Sequence, residues 1–277
     1  MSAEQMITPA AANGHSPIRV PGTYNLRDAG GYPATDGQLR WGKLFRSDGL
    51  HRLTAEGQEM LRDLRIGLVV DLRDTSEQGR DPSRLDGVGA EVVNAPIFEG
   101  ADPQTMATAD VTLAGIYDSI IDSFGANVVR AIELIARSAD TPVLVHCTAG
   151  KDRTGLVIAL AQLAAGVSRR DVVADYAATE ENLRGEWVET IRGQMLAHGI
   201  PDSAELNTIM SASPPELLET LLDRIDREHG SAAEYLLAEG LSADDLQALR
   251  LTLIRDTTTD ISATDNSATD TSEENAA

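Results

Sequence analysis

Cysteine occurs once in the 277-residue chain, at Cys147, so no intramolecular disulfide can form and a reducing compartment is expected. Cations are scarce: 23 Lys and Arg stand against 44 Asp and Glu, for a net charge of −21. That imbalance argues against nucleic acid and anionic membrane surfaces as main partners. No apolar run comes near the ~20 residues of a membrane span, and the chain does not open on a basic-then-apolar signal pattern. The expectation is a cytoplasmic protein without an integral membrane segment, with export by a signal-free route left open. The five histidines are scattered, and none has metal-ligand spacing to a second ligand, so neither a metal nor a cofactor is expected. No internal repeat occurs, and no feature of the sequence sets an oligomeric state.

What is present concentrates in residues 141–155. The short apolar run Val143-Leu144-Val145 ends at His146-Cys147, a loop with two glycines and two cations follows, and an apolar helix pattern then runs from Leu156 to Ala165. Strand, tight polar loop and buried helix together aim a ring of backbone N–H groups at one point. A thiol is a poor nucleophile until it ionises, and a helix N-terminus with nearby cations favours the thiolate. The N–H groups of Thr148, Ala149, Gly150 and Lys151, with the Arg153 guanidinium, suit a tetrahedral dianion, because a planar fork of donors matches two phosphate oxygens. Cys147 beneath such a phosphate is set for in-line attack, giving a phosphocysteine that water hydrolyses. A nucleotide-binding loop is excluded, since Gly-x4-Gly-Lys-Ser/Thr would need glycine where Val145 stands and a hydroxyl residue in place of Asp152.

The string His146-Cys147-Thr148-Ala149-Gly150-Lys151-Asp152-Arg153-Thr154-Gly155 resembles the Cys-x5-Arg signature of the protein tyrosine phosphatase superfamily. Its wording is most similar to the atypical bacterial tyrosine/serine phosphatases with an HCxAGKDRTG loop, some of which also accept phosphoinositides. Asn25-Leu26-Arg27-Asp28 with Leu44-Phe45-Arg46-Ser47, and Arg170 to Tyr176, extend the likeness loosely over most of residues 20–255. The resemblance implies a tyrosine or dual-specificity phosphatase acting on a phosphorylated protein or a phosphoinositide. Two other readings remain open: a catalytically weak module that binds phosphorylated partners, and a rhodanese-like sulfurtransferase.

Roles follow. Cys147 is the nucleophile, Arg153 the phosphate clamp, and Thr154 a hydrogen-bond donor to the sulfur. His146 orients the loop through backbone, and Lys151 adds positive charge at the rim, favouring substrates with more than one acidic group. The leaving oxygen needs a proton. Asp152, inside the loop as the resemblance implies, is the preferred acid, with Asp71 and Asp74 as alternatives.

The remaining chain reads as α/β: a mostly parallel central sheet of four to five strands flanked by helices, with a helical C-terminal third. Trp41, Leu44 and Phe45 suggest an edge strand. Thr54 caps a helix to about Leu64. The apolar run Ile66–Leu72 fits a strand covered on both faces, and it ends in the charges Asp71, Arg73, Asp74 and Glu77, where such sheets place ligands. Residues 88–97 supply another strand, and helices over about 111–124 and 127–138 read as a packing layer. Ser168-x-x-Asp171, Ser231-x-x-Glu234 and Ser242-x-x-Asp245 are capping boxes, Pro214-Pro215 starts another helix, and Trp187, Ile191 and Met195 form a core stripe. Residues 17–255 are expected to form a single phosphatase domain between a disordered lead-in at 1–16 and a disordered acidic tail at 256–277. Removing residues 257–277 should therefore leave the melting temperature and phosphatase activity nearly unchanged; a fall of several degrees would show that the tail docks.

Overall fold

The computed structural model describes residues 16–98, 112–197 and 210–256. The lead-in before Ser16, the tail after Asp256, most of the patternless stretch after Ile97 and the side chain of Met195 lie outside them. In chain order the strands are β1 (Arg27–Asp28), β2 (Pro33–Ala34), β3 (Gly37–Leu39), β4 (Leu44–Ser47), β5 (Leu68–Asp71), β6 (Glu91–Asn94), β7 (Val143–His146) and β8 (Ile254–Arg255). The helices are α1 (Ala55–Asp63), α2 (Thr75–Arg80), α3 (Leu113–Ser123), α4 (Gly125–Ala136) and α5 (Asp152–Ala164). They continue as α6 (Arg169–Leu183), α7 (Glu186–Ala197), α8 (Pro215–His229), α9 (Ala232–Ala238) and α10 (Ala243–Leu253).

The central sheet has five strands in the order β1-β4-β7-β5-β6, parallel except for the β1–β4 pair. This is the expected helix-flanked α/β arrangement. Successive strand side chains point to opposite faces, so strands that are apolar at every position are buried on both. Val143, Val145, Val70 and Leu44 enter one core, while Leu144, Val69 and Phe45 enter the other. Leu61 of α1, with Val20, Leu26 and Leu50, closes the smaller core. The larger is closed by α3 to α6 and α8 to α10. Helix α5 is apolar all round because α4, α6, α9 and α10 contact it as well as the sheet.

Helix starts follow the local chemistry. Thr54 Oγ1 accepts from Gly57 N–H at 3.1 Å, and Ser168, Ser231 and Ser242 accept from the N–H groups of Asp171, Glu234 and Asp245. Among the described residues no helix is long and apolar enough to cross a membrane. Two elements differ from expectation. The strand at Leu44 is not an edge: β4 lies between β1 and β7, and the two-residue β1 takes the edge because Arg27 and Asp28 pair with Arg46 and Phe45. Strand β8 has no signature of its own; it exists because the end of α10 returns to Leu39 and makes a third strand beside the β2–β3 pair.

Candidate active site

Strand β7 is the middle strand, and the loop after it leads directly into α5. The carboxyl end of a central parallel strand is where open α/β sheets hold ligands. The first N–H groups of any helix lack intrahelical partners. In α5 they are left without a side-chain cap, since Lys151 at that position makes no capping bond. Cys147, 2% exposed, lies at the start of the loop.

The loop is held from behind. Gly49 N–H donates to Thr148 O at 2.9 Å, Asn25 Nδ2 donates to Ala149 O at 3.3 Å and Gly150 O at 3.1 Å, and Arg46 Nη2 donates to Gly150 O at 2.9 Å. In a planar trans peptide the carbonyl and the next N–H point in opposite directions. Pinning the carbonyls of 148, 149 and 150 outward therefore aims the N–H groups of 149, 150 and 151 away from the braces, toward the loop's interior. Gly150 has φ +65°, and a Cβ there would lie 2.3 Å from Ser47 O, so this position needs glycine.

Behind the braces is a buried ionic cluster. Asp175 accepts from Arg27 Nε at 3.1 Å through Oδ1 and from Arg46 Nη1 at 2.6 Å through Oδ2. Arg27 Nη2 also donates to Asp175 O and to Thr179 Oγ1, and its Nη1 donates to Asn25 Oδ1. Burial alone would raise the Asp175 carboxyl, but the two guanidiniums outweigh it and hold it at about 2. Beside the loop, burial pushes Asp48 up to about 6; its Oδ1 accepts from the N–H groups of Tyr24 and Asn25.

At the rim, Arg153 is gripped by Glu77 of α2. Its Nη1 donates to Oε2 at 2.6 Å and its Nη2 to Oε1 at 2.8 Å, while Thr148 Oγ1 donates to the same Oε1 at 2.5 Å. One face of the guanidinium lies over the Phe98 ring, 5.3 Å from its centroid. Asp152, the first residue of α5, keeps 23% of its side chain exposed and accepts from Tyr117 Oη at 3.0 Å.

A sequence profile described as "Tyrosine phosphatase family" matches residues 18–255. The chain belongs to the tyrosine phosphatase family. It is 31% identical over 261 residues to "Triple specificity protein phosphatase PtpB" of Mycobacterium tuberculosis, covering 80% of this chain and 93% of that protein. It is also 31% identical over 152 residues to a "Tyrosine-protein phosphatase" of Nostoc commune, covering 51% of this chain and 49% of that one. Among solved structures, P. aeruginosa TpbA in complex with pTyr is a distant likeness, with TM-score 0.34, 18% identity and coverage of 58% of this chain and 90% of that one.

Within this phosphatase chain, Cys147, Thr148, Ala149, Gly150, Lys151, Asp152, Arg153 and Thr154 are brought together as a loop and first helical turn, but two of them face otherwise than expected. Lys151 is not at the rim: it is fully buried and its Nζ donates to Ala212 O at 3.0 Å, because the segment before α8 crosses it. Thr154 Oγ1 is buried and has no hydrogen-bond partner among the described residues, Cys147 Sγ included. His146 Nδ1 is 3.1 Å from Cys147 O, and burial lowers this imidazole, keeping it neutral. The alternative acids are occupied structurally. Asp71 is chelated by Arg73, with Oδ2 to Nη2 at 2.7 Å, and Asp74 caps α2 by accepting from Glu77 N–H at 2.8 Å.

The ionic cluster generates a stability test. Asp175→Asn leaves two buried guanidiniums without their counter-charge, and breaking a buried pair typically costs roughly 3–5 kcal/mol. The Asp175 carboxyl is held below its ordinary 3.8, so its contribution is present above about pH 4 and is lost as pH falls toward 2. Urea denaturation should show the full deficit at pH 7 and convergence of variant and wild type through that acid window. Equal stability at pH 7 would mean that the arginines are neutralised elsewhere.

Proposed function

We propose that this phosphatase hydrolyses phosphomonoesters through a phosphocysteine on Cys147, with phosphotyrosine and phosphoserine proteins as substrates. The Cys147 thiolate attacks phosphorus, the P–O bond to the leaving group breaks, and that oxygen takes the proton of the Asp152 carboxylic acid. Water then attacks the phosphorus of the phosphocysteine and gives a proton to the Asp152 carboxylate; the P–S bond breaks, releasing the Cys147 thiolate and inorganic phosphate. Charge on the phosphoryl oxygens is met by the loop N–H groups and by Arg153 rather than by a metal ion. Arg153 arrives pre-oriented, since Glu77 engages one N–H of each terminal nitrogen and leaves the Nε–H with the outer N–H of Nη2 as a fork for two phosphate oxygens.

The observation that carries this reading is the braced loop, whose outward-held carbonyls leave inward N–H groups around Cys147. Asp152 is favoured as the acid because it is the partly exposed carboxylate of the loop, whereas Asp71 and Asp74 are committed to Arg73 and to the α2 cap. The M. tuberculosis relative is named for triple specificity, and the likeness of the 146–155 loop to bacterial phosphatases that also accept phosphoinositides keeps these as a second substrate class. Two features favour phosphoproteins here: Lys151 is engaged with Ala212, and the net charge of −21 opposes approach to an anionic membrane.

Turnover of p-nitrophenyl phosphate should persist in EDTA and vanish in Cys147→Ser. Asp152→Asn should slow substrates with basic leaving groups by ~10²–10⁴-fold, the usual worth of a general acid, and spare those with acidic leaving groups. A loss in Asp152→Asn that is equal for every leaving group would move the acid role elsewhere. Activity surviving in Cys147→Ser would overturn the phosphocysteine.

A further inference from the structure

Helix α3 was expected only to pack, yet one of its side chains reaches the catalytic loop. Tyr117 is 1% exposed, and its hydroxyl donates to Asp152 Oδ1 at 3.0 Å. Tyr176 of α6, also 1% exposed, places its own hydroxyl 2.7 Å from that of Tyr117. The directions of these bonds follow from chemistry. A carboxylate only accepts, so the Tyr117 proton goes to Asp152, and the Tyr117 oxygen must then accept the proton of Tyr176. Burial, reinforced for Tyr117 by the Asp152 charge, pushes both phenols upward and keeps both protonated as donors.

The rings are fixed as well as the hydroxyls. They meet edge to face with centroids 6.2 Å apart, and the edge of Tyr176 fits against Gly155, where a Cβ would lie 3.2 Å from Cδ2. Two tyrosines 59 residues apart, on separate helices, thus form a hydrogen-bonded chain in which Tyr117 ends on a single carboxylate oxygen. Phenylalanine at both positions would fill the same apolar space and leave no buried hydroxyl to satisfy. The hydroxyls therefore need a reason beyond packing, and the acid at the end of the chain supplies one.

We propose that Tyr117, backed by Tyr176, is a positioning residue for Asp152, holding Oδ1 so that Oδ2 faces the leaving-group oxygen. The proposal rests on the reading of Asp152 as the general acid. A carboxylate free to rotate about its side chain would spend much of its time out of line with the departing oxygen. Small misplacements of catalytic groups can cost up to about 10²-fold in rate.

The test compares kcat and KM of the full chain on phenyl phosphate and p-nitrophenyl phosphate. It uses wild type, Tyr117→Phe, Tyr176→Phe, Asp152→Asn and the Tyr117→Phe/Asp152→Asn double variant. Tyr117→Phe should lower kcat on phenyl phosphate by about 10–100-fold, lower it far less on p-nitrophenyl phosphate, and leave KM unchanged. Tyr176→Phe should show a smaller loss with the same leaving-group dependence. In the Asp152→Asn background the Tyr117 change should cost nothing further, because there is no acid left to orient. Equal losses on both substrates, or the same loss with and without Asp152, would reduce Tyr117 to a packing residue and overturn the proposal. If Asp152→Asn alone shows no leaving-group dependence, the acid assignment itself fails. If it does and Tyr117→Phe does not, only the positioning role fails.

Discussion

Asp175 neutralises two buried guanidiniums, and the shape of the catalytic loop depends on that contact. Arg46 reaches from Asp175 to the carbonyl of Gly150, and Arg27 reaches from Asp175 to Asn25, which holds the carbonyls of Ala149 and Gly150. Three elements distant in sequence, β1, β4 and α6, therefore converge on the back of one turn. Placing this much charge in a core is expensive unless it is paired and hydrogen-bonded throughout. Arg27 engages all three of its nitrogens within the cluster, while Arg46 engages its two terminal nitrogens and its buried Nε has no partner among the described residues, so what the core gains from the charge is rigidity at the loop. A loop built to surround an anion must hold its own N–H dipoles pointing inward with no anion present, and an ionic brace does that where apolar packing could not.

The front of the site repeats the logic with fewer parts. Glu77 is at once the third residue of a capping box, with its carboxylate accepting from Asp74 N–H at 3.1 Å, and the partner of Arg153. Helix α2 is thereby fastened to the loop at its first turn, and its bond to Thr148 closes the span from the first loop residue to the last. Asp152 is held through one oxygen, Oδ1, which lies 3.0 Å from Tyr117 Oη and 3.5 Å from Lys151 Nζ. Cys147, Arg153 and Lys151 are nearly or fully buried, whereas 23% of the Asp152 side chain is exposed. The proposed proton exchange of Asp152 with a leaving group and with water needs that access.

Much of this was legible in the chain because its signals are local. The run 143–155 announced strand, loop and helix in sequence, the serine caps marked three helix starts, and the every-position apolar pattern of β5 and β7 marked strands covered on both sides. The parts that were not legible are pairings over long separations. Glu77 shows itself in the sequence only as one of the charges after the Ile66–Leu72 run, and nothing near it points to Arg153, 76 positions away. Tyr117 reads as one more apolar face residue of α3, and Lys151 as a rim cation, until the fold places Asp152 and Ala212 against them. The rank of β4 within the sheet was hidden for the same reason. Its apolar residues would suit an edge or an interior, and only pairing with the two residues of β1 decides.

The central claim is that the braced loop carries a covalent intermediate on Cys147. The direct measurement is rapid acid quench of the wild-type protein during turnover of a ³²P-labelled phosphotyrosine peptide, followed by peptide mapping. The account predicts label on the peptide containing Cys147, accumulating in Asp152→Asn with an activated aryl phosphate because the hydrolytic step loses its base. Turnover with no trapped label in either protein, or label on a peptide lacking Cys147, would contradict it.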